Sequence, residues 1–280
     1  TDTGNIAIGT DSAAQGGNSV AIGYESKTRG NGGTAVGQGA KAGVSKDDGS
    51  ASSAFGYYAN AAASGSTALG FQTVASTKQA TAAGYKASAS GEGATALGAN
   101  AIASNQSTIA ISAGPNTTTA SGVGSIAIGT NVTSNGAGNI ATGANANATG
   151  DGAIATGLGS VANGNNALAV GTNTSATGAN DVALGAGSVT GSRNALTSIT
   201  INGTEVGNNG KSSGTAVLAV GNSTSARQVQ YVSAGLISAD STDAINGSQL
   251  YNVITVVNST VSTATLAQAT ADNAKTVADD

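Results

Sequence analysis

The chain has no histidine, cysteine, methionine or tryptophan, and a single proline. Without His there is no Ser-His-Asp relay, and without Cys there is no thiolate nucleophile. Their joint absence also removes the ordinary zinc ligand sets. An enzyme is therefore not expected, and no cofactor is implied. The missing cysteine fits a reducing compartment and an exported surface protein equally well. Aromatic residues make up 3% and charged residues 9% of the 280 positions, against about 25% charge in ordinary globular domains. The net charge of −4 offers no basic surplus for a phosphate backbone, so nucleic acid is not an expected partner. No apolar run reaches the ~18 residues of a membrane-spanning helix. No signal peptide opens the chain and its last residue falls inside a helical pattern. It reads as a piece of something longer.

Glycine is abundant, at 43 residues, and the apolar content is mostly Ala, Val and Ile. Such small side chains predict a thin core repeated along an axis. Low charge with much Gly and Ser also fits disorder, but disordered chains do not place Val and Ile at fixed intervals.

The interval is set by one phrase, Ser19-Val20-Ala21-Ile22-Gly23. Its closing glycine recurs at Gly9, Gly23, Gly37, Gly56, Gly70, Gly84 and Gly98. Ser112 then takes the place once, followed by Gly129, Gly143, Gly157, Gly171 and Gly185. These are 13 copies, spaced by 14 residues except for steps of 19 and 17. A short fixed period marks a solenoid whose units are stable only when stacked. Each unit has room for two short strands and two turns, and coils about 4.8 Å apart give a length of about 60 Å. Alternation puts Val20 and Ile22 on one face and Ser19, Ala21 and Gly23 on the other. The expectation is that Val and Ile fill the thin core and that Ala and Gly form a close-packed outer side. A homo-oligomer packing that side around an axis is one reading; a monomeric solenoid is the other.

The two long steps are read as looped insertions, within 38–52 and 113–124. The first carries Val44-Ser45-Lys46-Asp47-Asp48-Gly49-Ser50 and the second carries Gly114-Pro115-Asn116. Loops on a rigid scaffold are favoured binding positions, although a tolerated insertion explains them as well. Thr34, Ser53, Thr67, Thr81 and Thr95 occupy the slot held elsewhere by Val or Ile. They are expected to hydrogen-bond along the stack; a threonine ladder that binds ice or sugar is the alternative. Asp47-Asp48 reads as a solvated charge pair. Gly157-Leu158-Gly159 and Gly91-Glu92-Gly93 lack the strand-to-helix context of a nucleotide site. A calcium-binding glycine-rich repeat would need period 9 with a regular aspartate.

Beyond Gly185 the period is lost. Thr197 to Val206 reads as a hairpin with Asn202-Gly203 at its turn, and Val217-Leu218-Ala219-Val220-Gly221 reads as a further strand. Thr242-Asp243 offers a helix cap. Leu250, Ile254, Val257, Val261 and Ala264 then alternate by 4 and 3, the seam of a coiled coil. A second register through Val253, Val257, Ala264, Ala267, Ala271 and Ala274 is also open. β-branched residues at both core positions favour three strands.

The phrase Asn18-Ser19-Val20-Ala21-Ile22-Gly23 resembles the head repeat of the trimeric autotransporter adhesins of Gram-negative bacteria. Val220-Gly221-Asn222, Arg227-Gln228-Val229, Ala234-Gly235, Thr242 to Asn246 and Gln249-Leu250 resemble that family's neck. The resemblance implies a mainly β fold: a left-handed parallel β-roll head over 1–185, an insertion over 186–216, a β neck over 217–249 and the start of a trimeric coiled-coil stalk over 250–280. It implies a homotrimer anchored in the outer membrane by a C-terminal barrel absent from this sequence. It also implies adhesion to host matrix proteins such as collagen, fibronectin and laminin, or to other bacterial cells. The family's collagen-associated motif matches Asn18, Ser19, Val20, Ala21, Ile22 and Gly23. Ala141-Thr142-Gly143 and Ala155-Thr156-Gly157 depart from it. A trimer-specific ion pair between Arg227 and Asp243 is expected at the neck. A spacer that projects a more distal domain is the structural alternative to an adhesive head.

Overall fold

The computed structural model describes residues 4–43, 50–192, 198–201, 204–207, 214–238 and 241–279. Residues 44–49 of the charged insertion and the Asn202-Gly203 turn lie outside them. The chain forms two units, the first reaching Ala226 and the second beginning at Arg227.

The first unit is the solenoid. The phrase of every coil forms one strand, and these strands pair side by side in a parallel sheet of 14. The second half of each coil contributes a return strand to a parallel sheet of 12. Register is constant from coil to coil. Val20 pairs with Ile6 and Thr34, Ala21 with Ala7 and Ala35, and Ile22 with Ile8 and Val36. Equivalent residues therefore stack in columns along the axis.

The columns that fill the interior are the small ones, opposite to the expectation from the phrase. Ala21, Ala35, Ala54, Ala68, Ala82 and Ala96 are fully buried, whereas Val20, Ile22 and their equivalents face outward, half-buried or exposed. The reason is the width of the coil. The phrase alanines share the interior with return-strand residues such as Thr28, Ala42, Ala61 and Ala75, also fully buried. Methyl and hydroxyl groups close a space this narrow at interior density, and branched side chains from two facing sheets would overfill it. Several buried polar groups are satisfied locally, whereas Ser134 Oγ and Asn147 Oδ1 find no partner among the described residues. The Ser19 hydroxyl donates to the Gly16 carbonyl at 2.8 Å, and Thr28 Oγ1 donates to Ser19 Oγ at 3.0 Å. Asn139, fully buried, ties two coils together. Its Nδ2 donates to the Ala148 carbonyl at 2.9 Å, and its Oδ1 accepts from the Ala153 amide at 3.0 Å.

The phrase glycine is demanded twice over. Gly23 has φ +128°, and a Cβ there would lie 2.7 Å from the Gly37 carbonyl carbon and oxygen. Two residues later the chain again takes the left-handed region, at Glu25, Asn131, Asn145 and Asn173 among others. Asparagine tolerates that conformation well, and Asn131 Nδ2 also donates to Asn145 Oδ1 at 2.8 Å.

Where Ser112 replaces the glycine, the strand lengthens to Ile109–Ser112 and pairs with Ile126–Gly129. The Ser112 hydroxyl donates to the carbonyls of Gly114 and Asn116, and Asn100 Nδ2 donates to that of Pro115 at 2.6 Å. Thr118–Ala120 is already back in the return sheet. The insertion is thus confined to the few residues around Pro115 and does not extend through 124. Thr67, Thr81 and Thr95 do stack in register, but on the outer face. The expected hydrogen bonds along that stack are not made: the three hydroxyls take no partner among the described residues.

The hairpin is present, Ser198–Ile201 antiparallel to Thr204–Gly207 with Ile199 opposite Val206. After it the chain re-enters the head. Leu218–Ala219 becomes the last strand of the phrase sheet, with Leu218 beside Val182 and Ala219 beside Ala183. Leu218-Ala219-Val220-Gly221 is thus one more copy of the apolar-Ala-apolar-Gly phrase, delayed by the insertion.

In the second unit a helix spans Gly247–Asp279. Its cap is Asn246 rather than Thr242-Asp243. Asn246 Oδ1 accepts from the Gln249 amide at 3.1 Å, and Gln249 Oε1 accepts from the Asn246 amide at 3.2 Å. This reciprocal pair is a capping box, and Asn246-Gly247-Ser248-Gln249 carries its signature in the sequence. Gln249 also ties down the preceding segment, donating from Nε2 to the Gly235 carbonyl at 2.7 Å. Asn246 Nδ2 donates to the Val232 carbonyl at 3.1 Å.

Candidate adhesive surfaces

The fold presents three kinds of outer column on the head. The first is the outer face of the phrase sheet. One column runs through Ile6, Val20, Thr34, Ser53, Thr67, Thr81 and Thr95 to Ile109, Ile126, Ile140, Ile154, Leu168 and Val182. Its neighbour, two residues on, includes Ile8, Ile22, Val36, Phe55, Leu69, Leu97, Ile111, Val170 and Leu184. Leu69, Leu184 and Ile8 remain about half exposed. The face is largely apolar, interrupted by hydroxyl side chains from Thr34 to Thr95 in the first column and at Thr142 and Thr156 in the second.

The second column stands at the turn after each phrase glycine. Tyr57, Phe71 and Tyr85 are one coil apart and stack nearly parallel. Their ring centroids are 5.1 and 5.3 Å apart, at interplanar angles of 8° and 9°. Tyr58 meets Tyr57 edge-on at 4.5 Å, and the Lys86 ammonium lies 5.1 Å from the Tyr85 centroid. The three stacked rings stay 40 to 49% exposed. Sequence reading missed this column because the rings are 14 residues apart; they align only once the period is applied to the residue after the glycine. Tyr24 occupies the same slot in an earlier coil. Its phenol donates to the adjacent Glu25 carboxylate, and that negative charge first, then the hydrogen bond, raises its pKa.

The third surface is the outer face of the return sheet, where Lys27, Lys41, Asn60, Val74 and Ser88 follow one another. It is the polar side of the head.

The residues singled out from sequence fall unevenly on these surfaces. Within the Asn18 to Gly23 motif, Ser19 and Ala21 are fully buried and Gly23 serves the turn. Val20 and Ile22 belong to the apolar face, and Asn18 is exposed at a left-handed turn position. The motif is therefore mostly coil-building, with Asn18 as its outermost side chain. In the second unit, Asp243 Oδ2 accepts from the Leu236 amide at 2.9 Å. Leu250, Ile254, Val257 and Val261 lie on the helix, each 48 to 59% exposed in the single chain. Among the described residues no group of three His, Cys, Asp or Glu is placed to hold a metal ion, and no helix is long and apolar enough to cross a membrane.

A family model of the YadA head domain repeat matches residues 6–26, 48–73, 63–87, 75–101, 89–111, 116–131 and 162–188. Among solved structures, the C-terminal YadA-like domain of a Burkholderia pseudomallei protein is 35% identical over 42% of this chain and 52% of that one, with a TM-score of 0.35. The chain thus spans about half the length of that relative. The collagen-binding domain of the Yersinia adhesin YadA is 19% identical over 91% of this chain and 99% of that one, with a TM-score of 0.32. No curated protein sequence matches the chain. The matched stretches coincide with the stacked coils described above, so the solenoid of this chain is built from repeats similar to those of the YadA head domain.

Proposed function

We propose that this chain is the projecting part of a homotrimeric surface adhesin that binds host matrix proteins of the collagen, fibronectin and laminin kind through the outer columns of its head. The observation that carries the reading is the exposed stack Tyr57, Phe71 and Tyr85. A chain with 3% aromatics concentrates them on one rigid turn column, without a core to build there. Flat aromatic faces on a fixed scaffold give large contact area at small entropic cost. Three chains per particle and many particles per cell multiply weak contacts. Solid-phase binding of the intact protein to immobilised collagen, fibronectin and laminin tests it. Joint Tyr57→Ala, Phe71→Ala and Tyr85→Ala substitution is expected to abolish capture. Full capture by that variant, or none by the wild type, overturns the reading. Mixing experiments between cells displaying the protein report autoaggregation, the other adhesive outcome.

The same reading assigns the apolar phrase face to contact between copies around a three-fold axis, continued by Leu250, Ile254, Val257, Val261 and Ala264 in the stalk. The support is physical: a face of this size is stable in water only when covered. Arg227 is taken to pair with Asp243 of a neighbouring copy, and Arg227→Ala should lower the melting temperature of the trimer. Display at the cell surface would follow from a C-terminal outer-membrane barrel beyond these residues. Light scattering that returns three times the chain mass supports the assembly, and a monomer refutes it. A spacer differs from an adhesive head in one respect: it tolerates deletion of whole coils in phase without loss of binding.

A further inference from the structure

The net charge of −4 conceals one concentration of the opposite sign. Lys27, Arg29 and Lys41 line a cleft of about 270 Å³ on the outer face of the return sheet, together with Gly43 and Asn60. Lys27 and Lys41 are direct partners on neighbouring parallel strands, and their strand neighbours Thr28 and Ala42 are buried. Both ammonium groups therefore leave the same face, one coil apart, or about 4.8 Å along the axis. Arg29 follows Lys27 by two residues and shares its side of the strand.

Nothing in the fold calls for these charges. The flanking coils place Ala13, Asn60, Val74 and Ser88 in the same column, all neutral. Like charges directly opposite each other destabilise a sheet. Among the described residues none of the three cations has an ion-pair partner. Of the acids nearest in sequence, Asp47 and Asp48 lie outside the described residues, and the two described ones sit in turns. Glu25 lies in the turn before the strand, where it engages Tyr24, and Asp11 occupies the same turn position one coil earlier. Gly43 keeps one wall of the cleft free of a side chain, and Asn60 adds an amide that both donates and accepts.

We propose that this cleft binds a sulfated polysaccharide. A sulfate stays ionised throughout the physiological range. It suits the fork of Arg29 and the point charges of Lys27 and Lys41, while the Asn60 amide meets sugar hydroxyls. The patch is only two coils tall, about 5 Å between its lysines. That is too short for the roughly 6–10 phosphate contacts that give proteins strong duplex binding. One or two sulfated rings match its size, and repetition on the assembled particle raises the avidity. The inference goes beyond the matrix-protein reading, and neither depends on the other.

The test is retention of the intact protein on an immobilised heparin-type polysaccharide, with matrix proteins absent. Its failure is thereby separate from failure of collagen, fibronectin or laminin capture. The wild type is expected to bind at physiological ionic strength and to elute as salt rises. It should ignore the desulfated polymer. Joint Lys27→Gln, Arg29→Gln and Lys41→Gln substitution is expected to weaken binding about tenfold or more. A control with the same loss of charge, Lys78→Gln, Lys86→Gln and Lys275→Gln, should keep it. Lys27→Arg with Lys41→Arg should bind normally, and the single glutamine variants give the same reading if the triple variant folds poorly. No retention of the wild type, or equal weakening in the control, overturns the site. Equal or tighter binding of duplex DNA or of anionic lipid vesicles overturns the assignment to a sulfated sugar.

Discussion

Asp181 reaches across 36 residues of sequence to Val217, whose backbone amide donates to its Oδ1 at 2.8 Å. Its other oxygen accepts from the Gly178 amide at 3.0 Å, and the residue is almost completely buried. In other coils this column holds Ser19, Ser66 or Ala94. Asp181 is thus the fitting that lets the chain leave for an insertion and return in phase. Asp181→Ala leaves the Val217 amide without a partner. It should cost about 1–3 kcal/mol, and limited proteolysis should cut faster around 214–221. Asp181→Asn keeps an acceptor oxygen and should cost less. Unchanged denaturation and cleavage in the alanine variant would show that the re-entry does not depend on this contact.

Ala82 and Ala83 are adjacent in one strand and predict opposite outcomes. Ala82 is fully buried between the sheets, while Ala83 faces outward between Leu69 and Leu97 of the neighbouring coils. Ala82→Leu must find three more carbons of room in a closed coil and should destabilise by about 1–3 kcal/mol or more. Ala83→Leu completes an existing leucine column and should be tolerated. Chemical denaturation of both variants decides it; equal sensitivity at the two sites would mean the interior is not on the alanine side.

That pair also marks the limit of what the sequence revealed. The period was legible because Gly23 and its equivalents must combine positive φ with close approach, and few residues other than glycine satisfy both. Alternation told that Ala21 and Val20 face opposite ways. It did not tell which way is in, because that depends on coil width, a property of two sheets together. The stack of Tyr57, Phe71 and Tyr85 was hidden for a related reason: each is an unremarkable turn residue until the coils are superposed. Leu218 to Gly221 repeats the phrase, yet the insertion before it broke the spacing that identified the other copies. The helix cap at Asn246 is written in the sequence as a capping box with Gln249, whereas the acidic Asp243 accepts from the Leu236 amide instead.

Ser134 offers a test of the small-residue interior in the stabilising direction. Its hydroxyl is buried without a hydrogen-bond partner, in a column where Ala120 and Ala148 are its neighbours above and below. Ser134→Ala removes an unsatisfied polar atom and fits a methyl group into the same space. Stability should rise by up to about 1 kcal/mol. The Ser125 hydroxyl is unaffected, since it donates to the Ser134 backbone carbonyl. A lower denaturation midpoint in Ser134→Ala would mean that the hydroxyl is satisfied in solution.

The Tyr24 phenol gives a pH-dependent signature for the turn that follows the opening phrase. The Glu25 carboxylate raises its pKa by its charge and by accepting its hydrogen bond, and Asp11 one coil away adds a smaller push in the same direction. A folded pKa above the unfolded one contributes stability at pH below the unfolded value, and the contribution is lost as pH rises through the folded value. The window is therefore alkaline, above the usual tyrosine range. Tyr24 is open to solvent, so the readout is its ionisation rather than the stability of the head. Glu25→Gln removes the charge and the strong acceptor together, and should bring Tyr24 back toward an ordinary tyrosine. The check is a phenolate absorbance titration of wild type, Glu25→Gln and Tyr24→Phe, the last identifying which of the six tyrosines has moved. Superimposable titrations of wild type and Glu25→Gln would show that the pair is broken in solution. A downward shift confined to Tyr24 would place the Glu25 carboxylate against it, in the left-handed turn that recurs along the head.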